Sequence, residues 1–155
     1  DSDAVEPYVK STGFFRNKAK NIVAASRLLL ERHGGAVPAS MPELLELPGV
    51  ARKTANVVLA HAFGIHAGVT VDTHVRRLSN RLGLTRQSEP VKIEPDLMTL
   101  FPQPEWENVS IRLIFHGRAV CRARNPGCGV CPMADLCPSH PDHGPSGRRA
   151  VPAAG

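Results

Sequence analysis

Leu47-Pro48-Gly49-Val50-Ala51-Arg52-Lys53-Thr54-Ala55 is the stretch on which the reading of the fold turns. Adjacent proline and glycine interrupt a helix, and glycine opens backbone conformations closed to other residues. Upstream, Ser40-Met41-Pro42-Glu43 has the form of a capping box, with a serine cap, a proline in the first turn and a glutamate three residues on. Downstream, residues 51–63 read as a helix stopped by Gly64. The stretch is therefore expected to be a tight turn between two short helices. Where the second helix begins, its first amide N–H groups have no intrahelical partner and point outward. Together with the positive end of the helix dipole they suit a phosphate. Taken alone the pattern is weak, since many helix pairs turn at Pro-Gly.

The same punctuation runs through the rest of the chain. Residues 4–10 form a short candidate helix before Gly13. Over 15–32 the apolar residues Ile22, Val23, Ala25, Leu29 and Leu30 recur at helical spacing, and Gly34-Gly35 ends the run. A helix over 73–82 follows Asp72 and stops at Gly83, another lies within 90–101 with Pro95 in or near its first turns, and 105–120 is the last long one. No strand pair is evident, and no internal repeat. The expectation is an all-α protein. From Pro138 to Gly155 the chain is rich in proline, glycine and small residues and is expected to be disordered.

Composition narrows the class. A chain of 155 residues fits one domain or two small ones and can bury roughly two-thirds of its unfolded surface. Hydrophobic residues make up 42% and aromatics only 5%, with Ala, Leu and Val dominant, a balance that favours helices over a β-sandwich. No run approaches the roughly 20 apolar residues that cross a bilayer, and Asp1-Ser2-Asp3 is acidic where a secretory signal is basic and then apolar. A soluble, intracellular protein without a membrane partner is expected. The net charge of +5 and pI near 9.4 lean toward a polyanionic partner without requiring one.

Four cysteines fall within C-x6-C-x2-C-x5-C at Cys121, Cys128, Cys131 and Cys137. Pro126, Gly127, Gly129 and Pro132 turn the short loops between them, so four thiolates can converge on one centre. Structural zinc and a [4Fe–4S] cluster are both chemically reasonable fillings. Zinc ribbons pair two C-x2-C knuckles, and one is present here. Two disulfides are the remaining alternative.

This spacing, directly after Ile114-Phe115-His116-Gly117-Arg118-Ala119-Val120, resembles the iron–sulfur motif of endonuclease III and its adenine-mismatch glycosylase relatives. The resemblance implies a [4Fe–4S] cluster on the four cysteines, with Arg122 and Arg124 presented to the DNA backbone. The segment around Gly49 resembles the helix-hairpin-helix of the same superfamily, which implies DNA contacts from Leu47, Pro48, Gly49, Val50, Ala51, Arg52 and Thr54. The motif usually carries glycine where this chain has Ala51. Lys53 matches the catalytic lysine of the bifunctional endonuclease III type, whereas the adenine-mismatch enzymes usually carry another residue there. By itself, a lysine in a helix is ordinarily a surface lysine. A nucleophilic one must lose its proton, which a helix start and partial burial both favour. Val69-Thr70-Val71-Asp72-Thr73-His74-Val75 places Asp72 as a helix N-cap. The resemblance makes it also the carboxylate that supports departure of the base. His74 is not assigned a catalytic part.

The fold so implied is a helix-hairpin-helix DNA glycosylase. Residues 1–71 would be the remainder of a helical-barrel domain and 72–137 the cluster domain, with 138–155 as a tail. Proteins of the family begin with further helices upstream of the point matching Asp1. The implied function is removal of oxidised pyrimidines and cleavage of abasic sites in duplex DNA, by a monomer when complete. Monofunctional adenine-mismatch glycosylase and non-catalytic DNA-binding module are the alternatives.

Overall fold

The computed structural model describes residues 1–143. Among these it contains helices and turns and no strand. The helices are α1 (Ser2–Val9), α2 (Phe15–His33), α3 (Met41–Glu46), α4 (Arg52–Phe63), α5 (Thr73–Arg81), α6 (Pro90–Leu100) and α7 (Trp106–Ala119). Five single-turn 3-10 segments supplement them, at Lys10–Thr12, Gln103–Glu105, Cys128–Val130, Ala134–Leu136 and Pro141–His143. The expected helices are all present, with ends displaced by a residue or two. None is long and apolar enough to cross a membrane.

The chain forms two compact units, Asp1–Ala67 and Gly68–Gly155. The sequence reading set the boundary after residue 71. Val69 and Val71 are buried in the core of the second unit, which draws the division upstream.

In the first unit α1 packs on α2 and α3 on α4. Leu44, Leu47, Ala55 and Leu59 form the buried centre, with Ala25, Leu28, Leu29, Met41, Val50, Val58 and Ala67 packed around it. Two helices close with left-handed glycines. Gly34 has φ 60° and lets the Gly35 N–H reach the Leu29 carbonyl at 2.9 Å. Gly64, at φ 66°, does the same for Ile65 N–H and Leu59 carbonyl at 2.9 Å. Both bonds reach back six residues and satisfy carbonyls left over at a helix end.

The capping box expected at Ser40 does not form. Ser40 has the extended backbone of an N-cap, but its side chain accepts from no backbone amide. Its hydroxyl donates to the Glu43 carboxylate instead. Pro42 in the first turn has already removed one of the amides a cap would serve.

In the second unit Val69, Val71, Val75, Leu78, Ile93, Leu97, Val109 and Leu113 make the core, flanked by Leu82, Leu84, Met98, Phe101, Trp106, Ile114 and Cys121. The Trp106 ring N–H donates to the Phe101 carbonyl at 2.9 Å, so the half-buried ring has its one donor satisfied. Pro95 sits at the sixth residue of α6, later than expected, without ending it. An interior proline costs about 3 kcal/mol. Ile93 and Leu97 on either side are fully buried, and burying two such side chains contributes about 1.5–3 kcal/mol each. Packing overrides the break. Of the expected tail, Pro138–Ser139–His140 turn back, with the His140 N–H on the Cys137 carbonyl at 3.0 Å, and Pro141–His143 is helical. The remainder of that expectation, 144–155, lies outside the described residues.

Adjacent positions on α5 test this account of the core. Leu78 is fully buried among apolar side chains, so Leu78→Ala is expected to lose about 2–5 kcal/mol in urea denaturation. Ser79 is equally buried, and its hydroxyl finds no hydrogen-bond partner among the described residues. Ser79→Ala should therefore be neutral or stabilise by up to about 1 kcal/mol. A clear loss at Ser79→Ala would show that the hydroxyl has a partner and refute this account of the site.

Candidate functional site

Three elements carry the functional side chains, and the first is the turn between α3 and α4. Val50 N–H closes it on the Leu47 carbonyl at 3.0 Å. Gly49 has φ 79°, and a Cβ there would lie 2.7–2.9 Å from three side-chain atoms of Asn21. Conformation and space both require glycine. Ala51 is the N-cap of α4 with φ −90° and ψ 168°, extended backbone that any residue adopts, so alanine in place of the family's usual glycine costs the turn nothing. The N-cap residue, Ala51, has no polar side chain with which to cap α4.

The residues singled out in this segment divide by burial. Leu47 is only 6% exposed and belongs to the core, so it anchors the turn and has no side chain to offer a ligand. Val50 also packs against that core. Pro48 and Arg52 are half-buried, while Gly49, Ala51, Lys53 and Thr54 are exposed. Lys53 is the second residue of α4. The partial burial expected for it is not supplied by its own unit.

The second element is the start of α5. Asp72 is its N-cap, and one carboxylate oxygen accepts from the His74 and Val75 N–H groups, each at 2.8 Å. The side chain is thereby fixed in position by two backbone donors. His74 turns its ring toward Arg77, with Nδ1 at 3.2 Å from Nη2.

The third element is the cysteine loop. It leaves α7 by two bonds to one acceptor, since Val120 and Cys121 N–H both reach the His116 carbonyl at 2.9 Å. Gly127 N–H returns to the Val120 carbonyl at 2.9 Å, closing the loop that exposes Arg122 and Arg124. Two arginines of α5 hold this segment. Arg77 donates to the Gly117 carbonyl at 2.9 Å and to the Cys121 carbonyl at 2.9 and 3.3 Å. Arg81 donates to the carbonyls of Arg122 and Ala123 at 2.7 and 3.1 Å and to Cys121 Sγ at 3.2 Å. Their approach depends on Gly117, where a Cβ would lie 3.0 Å from both Arg77 Nη2 and His74 Nδ1. Sequence reasoning missed Arg77 and Arg81. Their i,i+4 spacing puts them on one helix face, but their partners lie about forty residues away in sequence.

The four cysteines form no disulfide. They line a single cavity of about 200 Å³ together with Arg81, His116 and His140. His116 Nε2 lies 3.6 Å from Cys131 Sγ. Four thiols lining one cavity fit a group of several atoms such as an iron–sulfur cluster. The nearby guanidinium and imidazole are the kind of neighbours that tune a cluster through its sulfurs.

Taken together, these elements define an all-helical, helix-hairpin-helix protein with an iron–sulfur loop at its carboxyl end. The family model described as HhH-GPD superfamily base excision DNA repair protein matches residues 1–103, and that for the iron–sulfur binding domain of endonuclease III matches residues 121–137. The chain belongs to the HhH-GPD superfamily of base excision DNA repair proteins, in its endonuclease III family. Its cofactor is a [4Fe–4S] cluster.

Endonuclease III of Synechocystis sp. is 67% identical over 139 residues, which are 90% of this chain and 64% of that protein. Among solved structures, a non-covalent endonuclease III–DNA complex matches with a TM-score of 0.86 at 42% identity, over 92% of this chain and 67% of that one. A trapped endonuclease III–DNA covalent intermediate matches with a TM-score of 0.86 at 41% identity, over the same shares. The chain thus spans just under two-thirds of the length of the Synechocystis protein.

The cap at α5 separates two properties of Asp72. Asp72→Ala removes the acceptor for two amides and should cost about 1 kcal/mol in thermal denaturation, whereas Asp72→Asn, an equally good cap, should leave stability within a few tenths of a kcal/mol. Equal losses in both variants would mean that the charge, not the cap, holds the helix start.

Proposed function

We propose that this protein is a bifunctional DNA glycosylase and abasic-site lyase that removes oxidised pyrimidines from duplex DNA in the bacterial cytoplasm, at the nucleoid. The observation that carries the reading is Lys53, exposed at the second position of an uncapped helix and immediately beyond the glycine turn. The uncapped amides of α4 take a DNA phosphate, which holds the strand beside the lysine. Exposed Arg122 and Arg124 take further phosphates from the cysteine loop, positioning the duplex without reading its sequence.

The chemistry then needs two groups. The neutral amine of Lys53 attacks C1′ of the damaged nucleoside while the C1′–N bond breaks, and the base departs with the bonding pair. Positive charge develops on the sugar, and the carboxylate of Asp72, fixed by two backbone donors, stabilises it or receives the proton that the lysine loses. Opening of the sugar gives a Schiff base on Lys53. Loss of a C2′ proton then expels the 3′ phosphate by β-elimination, cutting the strand. Cys121, Cys128, Cys131 and Cys137 are the ligands of the cluster, which fixes the loop bearing Arg122 and Arg124. The complete protein acts as a monomer.

Two things support this reading beside the geometry. The family is one of base excision DNA repair proteins, and the similar solved structures are named as endonuclease III bound to DNA, one of them through a covalent intermediate. A lysine at position 53 favours the bifunctional chemistry over the adenine-mismatch glycosylases, which have no need of a Schiff base.

Borohydride reduction in the presence of an abasic-site duplex tests it. The cluster-loaded protein should be trapped as a covalent adduct, and Lys53→Ala should abolish the adduct. Asp72→Asn, stable by the argument above, should slow base release by about 10²–10³. Absence of any adduct from the cluster-loaded protein would sink the enzymatic reading and leave a DNA-binding module.

A further inference from the structure

The second unit has a groove that the proposed chemistry does not use. It is an open groove of about 640 Å³ along one side of α5, lined by Thr73, Arg76, Arg77, Asn80 and Arg81, with Ser88, and Ala123 of the cysteine loop, completing it. It therefore starts one residue beyond Asp72 and ends between Arg122 and Arg124. Three guanidinium groups face it and no carboxylate does.

The three arginines differ in what they are free to do. Arg77 and Arg81 are half-buried and committed to the carbonyls of Gly117, Cys121, Arg122 and Ala123. They act as fixed positive charges whose position costs no ordering when an anion arrives. Arg76 is exposed, and its side chain makes no hydrogen bond or ion pair among the described residues. It is the donor left over, and it stands over charges already in place. The flanking Asn80 is held by its amide on the carbonyls of Arg76 and Gln87 at 3.0 and 2.9 Å.

The lining also says what kind of anion fits. No aromatic ring lines it to stack on a base. Such a surface suits a phosphodiester on an extended strand, contacted for its charge alone. We propose that this groove binds a backbone phosphate of duplex DNA, with Arg76 as its hydrogen-bond donor and Arg77 and Arg81 supplying the field. The inference rests on the repair reading above and adds a phosphate contact separate from the hairpin and from the exposed arginines of the cysteine loop.

Affinity measured against salt concentration tests it, using cluster-loaded protein with undamaged and abasic-analogue duplexes. Arg76→Gln should weaken binding several-fold on both duplexes alike and make the log–log salt slope shallower by about 0.9, the value for one lost phosphate contact. Arg76→Lys should restore the slope. Arg112→Gln, which removes a surface cation paired with Glu105 outside the groove, should leave the slope unchanged. If Arg76→Gln keeps the parent slope while the parent protein still binds DNA and is trapped by borohydride, the groove inference fails and the repair reading stands. If Arg112→Gln matches Arg76→Gln, net charge accounts for the effect and the groove inference is likewise overturned. Inorganic phosphate that competes at constant ionic strength as well as duplex does would identify a small anion as the occupant and overturn it too. A parent protein that neither binds nor is trapped overturns both.

Discussion

Every helix leaves amides unpaired at its start and carbonyls unpaired at its end, and the way individual ends are satisfied determines what this protein can do. The start of α5 is closed by Asp72, which holds a carboxylate in a fixed place as a consequence of capping. At the end of α7 and the chain just beyond it, Arg77 and Arg81 take the carbonyls, tying the cysteine loop to α5. The start of α4 has alanine at its cap position, which offers no polar side chain to its amides.

Glycine is required at two of these junctions for different reasons. At Gly49 both a positive φ and the side chain of Asn21 exclude any Cβ, so the turn and its approach to α2 are set together. At Gly117 the backbone is ordinary helix, and what excludes a larger residue is the crossing of α5, with Arg77, His74 and Leu78 all close by. A methyl there would push α5 away from the carbonyls its arginines serve. The cysteine loop is therefore held by packing as much as by hydrogen bonds.

Much of the site was legible in the chain. The glycine turn, the lysine just beyond it and the aspartate at the next helix start are local patterns, and local sequence carries them because turn chemistry and capping act over three or four residues. Some local readings still failed. Ser40 bonds to the Glu43 side chain rather than to an amide, because Pro42 had already taken one donor away. Pro95 sits inside a helix because buried neighbours outweigh its cost.

By itself the sequence determined the helical class, the hairpin, the order of the functional residues and the four-cysteine motif, since each depends on spacing within a turn or a short loop. Only the tertiary structure decided which side chains attend the cysteines, that the four thiols line one cavity, and that three arginines of one helix share a groove with the cysteine loop. Those facts depend on contacts across about forty residues, brought together by burial of Val75, Leu78 and Leu113 in a common core. Burial of that kind is non-directional and leaves no local signature to read.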